Sequence, residues 1–341
     1  MRLALDATYS IGDHLTGVGV YCREMLTGVA GLNQPDPVSF LYRPHRWLRS
    51  FQESLPANAH RGLLLETLGP RRQLFHGLNQ RLPRRRFRRQ VVTFHDLFVL
   101  TAEYSTAEFR KRFAAQARHA AASADRVIAV SEFTAGQVRD LLGVPASKVE
   151  VIHHGVHPPA PGDPGLRSKV VLHVGSIQTR KNLVRLVTAF AAVPDDWRLV
   201  LAGGPGYGAE TVYSAIEKSP ARARITVTGY VEAEDLPLWY ERASVFAFPS
   251  LDEGFGLPVL EAMAAGVPVL ASNRGALPEV CGDAAVVVDA LDTKGLARKL
   301  SDLCSDSEYR DQMAGLGRAR AGLFPWAQAV SRTQSVYRQL Q

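Results

Sequence analysis

The chain reads as an α/β protein built from two doubly wound parallel sheets. Two observations predict this. Short apolar runs alternate with amphipathic stretches along the whole length, the pattern of parallel strands covered by helices. The alternation breaks once, at Pro158-Pro159-Ala160-Pro161-Gly162-Asp163-Pro164-Gly165, and then restarts. A chain of 341 residues is long for one core and comfortable for two.

The elements follow in order. Leu3–Asp6 is an apolar run closed by an acid and reads as the first strand. Gly19–Val29 has helical spacing. Strands are expected at Ser39–Tyr42, Gln73–His76 and Val91–Phe94, each a β-branched or aromatic run. Ala107–Ala122 is alanine-rich and helical, Arg126–Val130 a strand, Phe133–Leu142 a helix and Val149–Ile152 a strand. The proline-rich stretch then sustains neither element. It sets one domain at 1–160 and a second at 166–322. The second repeats the scheme. Strands are expected at Val170–Val174, Arg198–Ala202, Ile225–Thr228, Val245–Phe248, Val267–Ala271 and Ala285–Val288. Helices are expected at Leu183–Ala191, Glu210–Glu217, Ala233–Glu241, Pro258–Ala265, Asp292–Ser301 and Asp306–Ala321. A last helical segment occupies 323–341.

Bulk properties exclude several classes. Hydrophobic residues make up 46% of the chain, and no apolar run approaches the roughly 20 residues that span a bilayer. The first apolar run is too short for a signal peptide. Three scattered cysteines without C-x-x-C spacing fit a reducing compartment, so a cytoplasmic protein is expected. Residues 1–165 hold 21 Lys/Arg against 14 Asp/Glu, whereas residues 166–341 hold 19 of each. Much of the excess is Arg71, Arg72, Arg81, Arg84, Arg85, Arg86, Arg88 and Arg89. Such a cluster points to an anionic surface. Nucleic acid is not expected, because interleaved aromatics and an RNA-reading strand pattern are missing.

The most informative stretch is Glu253-Gly254-Phe255-Gly256-Leu257-Pro258-Val259-Leu260-Glu261. Glycines and a proline start a helix near Leu257, leaving Glu253 on the loop and Glu261 inside. The free N–H groups of such a helix mouth, at Phe255, Gly256 and Leu257, attract phosphate, and carboxylates accept from sugar hydroxyls. Gly175-Ser176-Ile177-Gln178-Thr179-Arg180-Lys181-Asn182 also joins a strand to a helix. Two cations at a helix start oppose the macrodipole unless an anion accompanies them. Arg180 suits a bidentate grip on a diphosphate and Lys181 a point charge. Gly203 lies on another strand-to-helix turn, an ordinary tight turn or a close approach to ligand. Tyr230 and Val231 follow a strand, where Tyr230 either stacks on a ligand or packs in the core. Gly17 and Gly19 sit in a loop after the first strand, able to aim N–H groups at phosphate or acceptor. His95 ends a buried run, with Asp96 beside it to orient the ring. His153-His154-Gly155-Val156-His157 lacks carboxylate or thiolate partners at metal-binding spacing and reads as a hinge.

These motifs resemble the E-x7-E signature of retaining GT-B glycosyltransferases, those related to bacterial mannosyl- and glucosyltransferases of surface glycan synthesis. The resemblance runs through Glu253–Val269, Gly175–Asn182, Leu201–Gly204 and Thr228–Val231. It is strong over 166–290 and looser before. It implies two Rossmann-like domains facing a cleft, the first binding the acceptor and the second a nucleoside-diphosphate sugar, with the final helix crossing back to the first. It implies that Arg180, Lys181, Ser176 and the Phe255–Leu257 backbone hold the diphosphate. Glu253 then holds sugar hydroxyls and Glu261 the ribose, Tyr230 and Val231 lie against the base, and His95 contacts the sugar near the reacting carbon. The histidines at 153, 154 and 157 depart from the family's usual junction. No D-x-D pair is present, so neither metal nor other cofactor is expected. GDP-mannose is the first donor expected, with UDP-glucose, GDP-fucose and dTDP-rhamnose as alternatives. The acceptor is a glycan or a polyprenyl-diphosphate-linked glycan, met at the inner face of the membrane. A nucleotide-sugar epimerase of related fold and a non-catalytic sugar-nucleotide-binding module are the competing readings.

Overall fold

The computed structural model describes residues 2–32, 36–68, 73–158 and 166–340. Arg71, Arg72 and most of the expected linker at 158–165 lie outside the described residues. The chain divides into two compact units: Met1–Gly155 with Trp326–Gln341, and Val156–Pro325.

Among the described residues of the first unit, seven strands form one parallel sheet. They are β1 (Leu3–Asp6), β2 (Val38–Tyr42), β3 (Ala59–Leu63), β4 (Leu74–Gly77), β5 (Arg89–Phe94), β6 (Arg126–Ala129) and β7 (Val149–Val151). Their order is β3-β2-β1-β4-β5-β6-β7. β3 is unexpected. It is an edge strand, Ala-His-Arg-Gly-Leu, half-exposed throughout. No apolar run announces it, and backbone pairing with β2 from Val38↔Ala59 to Tyr42↔Leu63 defines it instead. The central strands are buried on both faces, as a parallel sheet under helices requires. Phe75 and Phe87 stack at 4.4 Å within that core.

The first long helix runs Gly17–Gly31, so Gly17 and Gly19 belong to its first turn and not to a preceding loop. Thr16 is extended and marks the boundary. A Cβ on Gly19 would come 3.0 Å from the Tyr9 carbonyl, so glycine lets this turn approach the backbone after β1. The last helix, Trp326–Gln339, packs on the first. A Cβ on Gly28 would meet Val330 Cγ2 at 2.4 Å.

The described residues of the second unit form a six-stranded parallel sheet. It comprises β8 (Val170–Val174), β9 (Arg198–Ala202), β10 (Ile225–Gly229), β11 (Val245–Phe248), β12 (Val269–Ser272) and β13 (Val286–Val288). The order β10-β9-β8-β11-β12-β13 reverses direction between β8 and β11. The first sheet reverses likewise between β1 and β4. In open parallel sheets ligands gather beyond the carboxyl ends of strands at such a reversal. The core of this unit is mostly aliphatic, with the aromatic Trp197 and Phe190 buried among residues such as Leu199 and Leu201. Short helices at Pro44–Trp47, Phe98–Thr101 and Leu277–Cys281 are also unexpected from sequence, being one turn each. No helix among the described residues is long and apolar enough to cross a membrane.

Candidate functional site

The reversal in the second sheet brings together the turns after β8 and β11. Gly175 ends β8 with φ near +142°. A one-turn 3-10 helix, Thr179–Lys181, precedes the helix Leu183–Phe190. Asn182 between them holds φ +59°, a left-handed conformation costly for a side-chain-bearing residue. Its Nδ2 donates to Pro249 O at 3.0 Å and Ala290 O at 2.7 Å, which ties the turn to β11 and β13 and sustains that conformation.

This geometry turns Arg180 and Lys181 inward. Both pair with Glu253 Oε1, Lys181 Nζ at 2.6 Å and Arg180 Nη1 at 2.8 Å, and all three side chains are only 9% exposed. They are not solvated surface charges. Lys181 Nζ also lies 4.4 Å over the Phe248 ring, and Arg180 donates to the Asp252 carbonyl. Burial alone would push the Glu253 carboxyl up, but the two cations overcome it and hold the group down at about 2. The companion anion that the cation pair demands is thus supplied in part by the protein. Two cations share one carboxylate, so the trio keeps one net positive charge.

The loop after β11 is fixed on all sides. Leu251 N donates to Arg180 O at 2.8 Å and Ala276 N to Glu253 O at 2.8 Å. Gly275, which sequence reasoning missed, takes φ +62°, and a Cβ there would lie 2.5 Å from Glu253 O. Its position just after a strand was the available signal. Gly256 at φ +103° precedes the helix Leu257–Ala264, where Pro258 occupies the first turn. Phe255 and Leu257 are buried beside this helix mouth. Inside the helix Glu261 accepts from Tyr240 OH at 2.7 Å. Burial raises its carboxyl above the usual range and the Tyr240 hydrogen bond opposes that. Tyr240 is a second residue that sequence reasoning missed.

Three turns converge beside Ser176. A Cβ on Gly203 would stand 2.0 Å from Gly175 O, so the ends of β8 and β9 touch backbone to backbone and only glycine fits. Gly203 also bridges Gly229 at the end of β10. Tyr230 follows, 37% exposed, which rules out core packing as its role. Val231 is half-buried next to it.

In the first unit His95 follows β5 and is buried. Its Nε2 lies 2.8 Å from Leu78 O and its Nδ1 3.3 Å from His154 Nε2. Asp96 therefore does not orient this ring, contrary to expectation, because both ring nitrogens have other partners. His154, expected to be a hinge residue only, stacks on His95 with centroids 5.2 Å apart. Of the arginine cluster, Arg81 pairs with Glu66, while Arg86 and Arg89 pair with Asp125. Arg85 lies buried over Phe87. The charge left for an external anion is smaller than the sequence count implies.

Two doubly wound parallel sheets, the second with two buried cations on one carboxylate at its reversal, define an α/β protein with a candidate anion site at the strand ends. Comparison with known proteins gives the family. Residues 162–320 match the model of glycosyl transferases group 1, and residues 35–158 match that of glycosyltransferase family 4. An O-antigen chain mannosyltransferase B of Escherichia coli is 30% identical over 98% of this chain and 99% of its own length. A D-inositol 3-phosphate glycosyltransferase of Corynebacterium diphtheriae is 36% identical over 50% of this chain and 43% of its own. Among solved structures, sucrose-phosphate synthase of Thermosynechococcus elongatus superposes with a TM-score of 0.78 at 22% identity, covering 100% of this chain and 99% of that one. Anabaena HepE in complex with UDP and glucose gives 0.76 at 18%, covering 99% of each chain. The chain belongs to the glycosyltransferases and has their two-domain GT-B fold.

Proposed function

We propose that this glycosyltransferase moves mannose from GDP-mannose, with retention of configuration, to a glycan or polyprenyl-diphosphate-linked glycan. The buried Arg180–Lys181–Glu253 trio at the β8/β11 reversal carries the reading. Its excess positive charge beside a helix mouth suits the diphosphate of a nucleotide sugar. The Escherichia coli mannosyltransferase, similar along its whole length, supports the sugar. HepE, whose structure holds UDP and glucose, supports a nucleoside-diphosphate sugar as donor class.

In this reading the second unit holds the donor and the first the acceptor. Lys181 and Arg180, with Ser176 and the backbone of Phe255, Gly256 and Leu257, hold the diphosphate. Glu253 keeps Oε1 on the cations and offers Oε2 to sugar hydroxyls. Glu261 holds the ribose, and Tyr230 and Val231 border the base beside Gly203. Gly17 and Gly19 bring the first helix turn toward the acceptor, and His95 lies at the sugar. The bond from C1 to the phosphate oxygen breaks as a bond from C1 to the acceptor oxygen forms on the same face. The acceptor proton passes to the departing phosphate, and the products are the glycoside and GDP. Two cations placed at the leaving group serve the role a divalent ion would otherwise fill. The basic first half favours work at the inner face of the membrane, through anionic lipid.

A panel of nucleotide sugars tests the donor. GDP-mannose should raise the melting temperature and be consumed with acceptor, and the product's anomeric proton should match the donor's configuration. Preference for UDP-glucose, or an inverted product, would replace this reading. Activity that EDTA abolishes and manganese restores would refute metal independence. Vesicle binding should weaken as salt rises.

A further inference from the structure

The His95–His154 contact has a determined proton arrangement. Leu78 O can only accept, so His95 Nε2, 2.8 Å away, carries the hydrogen. His95 is neutral, burial holding it down at about 4, so its Nδ1 is bare. His154 Nε2, 3.3 Å from that Nδ1, must therefore donate. The surroundings hold both rings in place. The edge of Tyr21 meets His95 at 4.7 Å, and the same ring lies 4.8 Å from His154. Trp326 flanks His154 at 5.9 Å. The next residue, Gly155, leaves no room for a side chain, because a Cβ there would stand 2.4 Å from Trp326 N. His154 is thus set by the last residues of the unit's first segment and the first residue of its second.

We propose that His154 is a positioning residue for glycosyl transfer: by donating Nε2–H to His95 Nδ1 it locks the His95 imidazole in one tautomer and one orientation. The proposal rests on the placing of His95 at the donor sugar given above. With both nitrogens occupied, His95 shapes the pocket by its ring edge and main chain and trades no proton. Without the donor, Nδ1 is a buried acceptor left bare, and a half-turn of the ring becomes competitive.

The test combines nitrogen-15 spectra of the histidine side chains with turnover of GDP-mannose, or of whichever donor in the panel supports transfer. His95 signals are assigned by their loss in His95→Phe. The wild-type protein should show His95 protonated at Nε2 and bare at Nδ1; the opposite tautomer overturns the proposal without any variant. His154→Phe, which keeps the stacking ring, should move the His95 Nδ1 signal and lower kcat at least fivefold, with KM for donor changed less than twofold. His154→Gln, which restores an N–H, should return both. A folded His154→Phe with normal kcat, or with an unmoved signal, overturns the proposal. His95→Phe separates the two levels. If it is slow while His154→Phe is normal, only the positioning role falls. If His95→Phe itself turns over normally, the placing of His95 falls and takes the proposal with it.

Discussion

The two sheets share a topology but differ in the balance of charge they bury at their strand ends. Beyond the reversal in the second unit sit two buried cations on one carboxylate. In the first unit the ends of β1 and β2 carry a balanced buried pair, Arg43 on Asp6 at 3.3 Å, and β4 and β5 carry a neutral chain of buried hydrogen bonds. Tyr337 OH reaches His76 Nδ1 at 2.6 Å, His76 Nε2 reaches Thr93 Oγ1 at 2.8 Å, and Thr93 reaches Tyr21 OH at 2.9 Å. Buried ion pairs are costly to desolvate and rarely repay it in stability. A neutral network fully paired has no such cost. An unbalanced buried charge is therefore kept where a dianionic ligand is proposed to bind, and the Tyr337–His76–Thr93–Tyr21 chain orients its side chains without charge.

The sharpest way to break this contrast is to remove the carboxylate. Glu253→Ala leaves two buried cations facing each other, and its cost should be about 3–5 kcal/mol. Chemical denaturation should show the loss in the second unit. A loss under 1 kcal/mol would mean that solvent already neutralises the pair. Acid gives the next largest effect and separates the units. His76 is held at about 3 and His95 at about 4 by burial, and His154 is pushed down by the same cause. Their folded values lie below the unfolded one, so the unfolded chain binds more protons as pH falls under about 6.5. Stability should drop by about 1 kcal/mol per histidine between pH 6.5 and 5.5. The second unit has one such group, His173 at about 3. Glu253, held down at about 2, contributes stability above its unfolded value and loses it only as pH falls from about 4.5 toward 2. The first unit should therefore unfold first on acid titration, followed by hydrogen exchange. Loss of the second unit first would refute the contrast. Lys181→Ala comes third: kcat should fall at least tenfold, about 1.4 kcal/mol of barrier, with the fold kept. Near-normal turnover would remove Lys181 from the site.

Much of the architecture was legible because the strands are buried runs. β1, β8, β9 and β11 fall on the residues their apolar patterns predict. What stayed hidden was pairing at a distance. Lys181 meets Glu253 across 72 positions and His95 meets His154 across 59. No local pattern encodes either pair. Hence the cations read as a site awaiting a ligand, and the His153–His157 stretch as a plain hinge. β3 was missed for the same reason, since its partner strand and not its composition makes it a strand. Gly203 shows the opposite case. A glycine after a strand reads as a tight turn or a close approach to ligand, and the neighbour that requires glycine here is the protein's own backbone, Gly175 O.

The smallest expected effect concerns Glu261 and Tyr240. Tyr240 packs against Phe246, with centroids 5.8 Å apart, so the ring keeps its place in Tyr240→Phe. The hydroxyl's short bond to Glu261 Oε2 at 2.7 Å is lost, with its longer contact to Pro258 O at 3.4 Å. That bond favours the ionised carboxylate, whose titration burial already displaces upward. Losing it should raise the Glu261 value further and weaken its hold on a ribose hydroxyl. A hydrogen bond of this kind contributes about 1 kcal/mol, so KM for donor should rise roughly fivefold. Because the ribose stays bound through the transition state, kcat should not change. A fall in kcat at constant KM would place Glu261 at the reacting centre and not at the nucleotide.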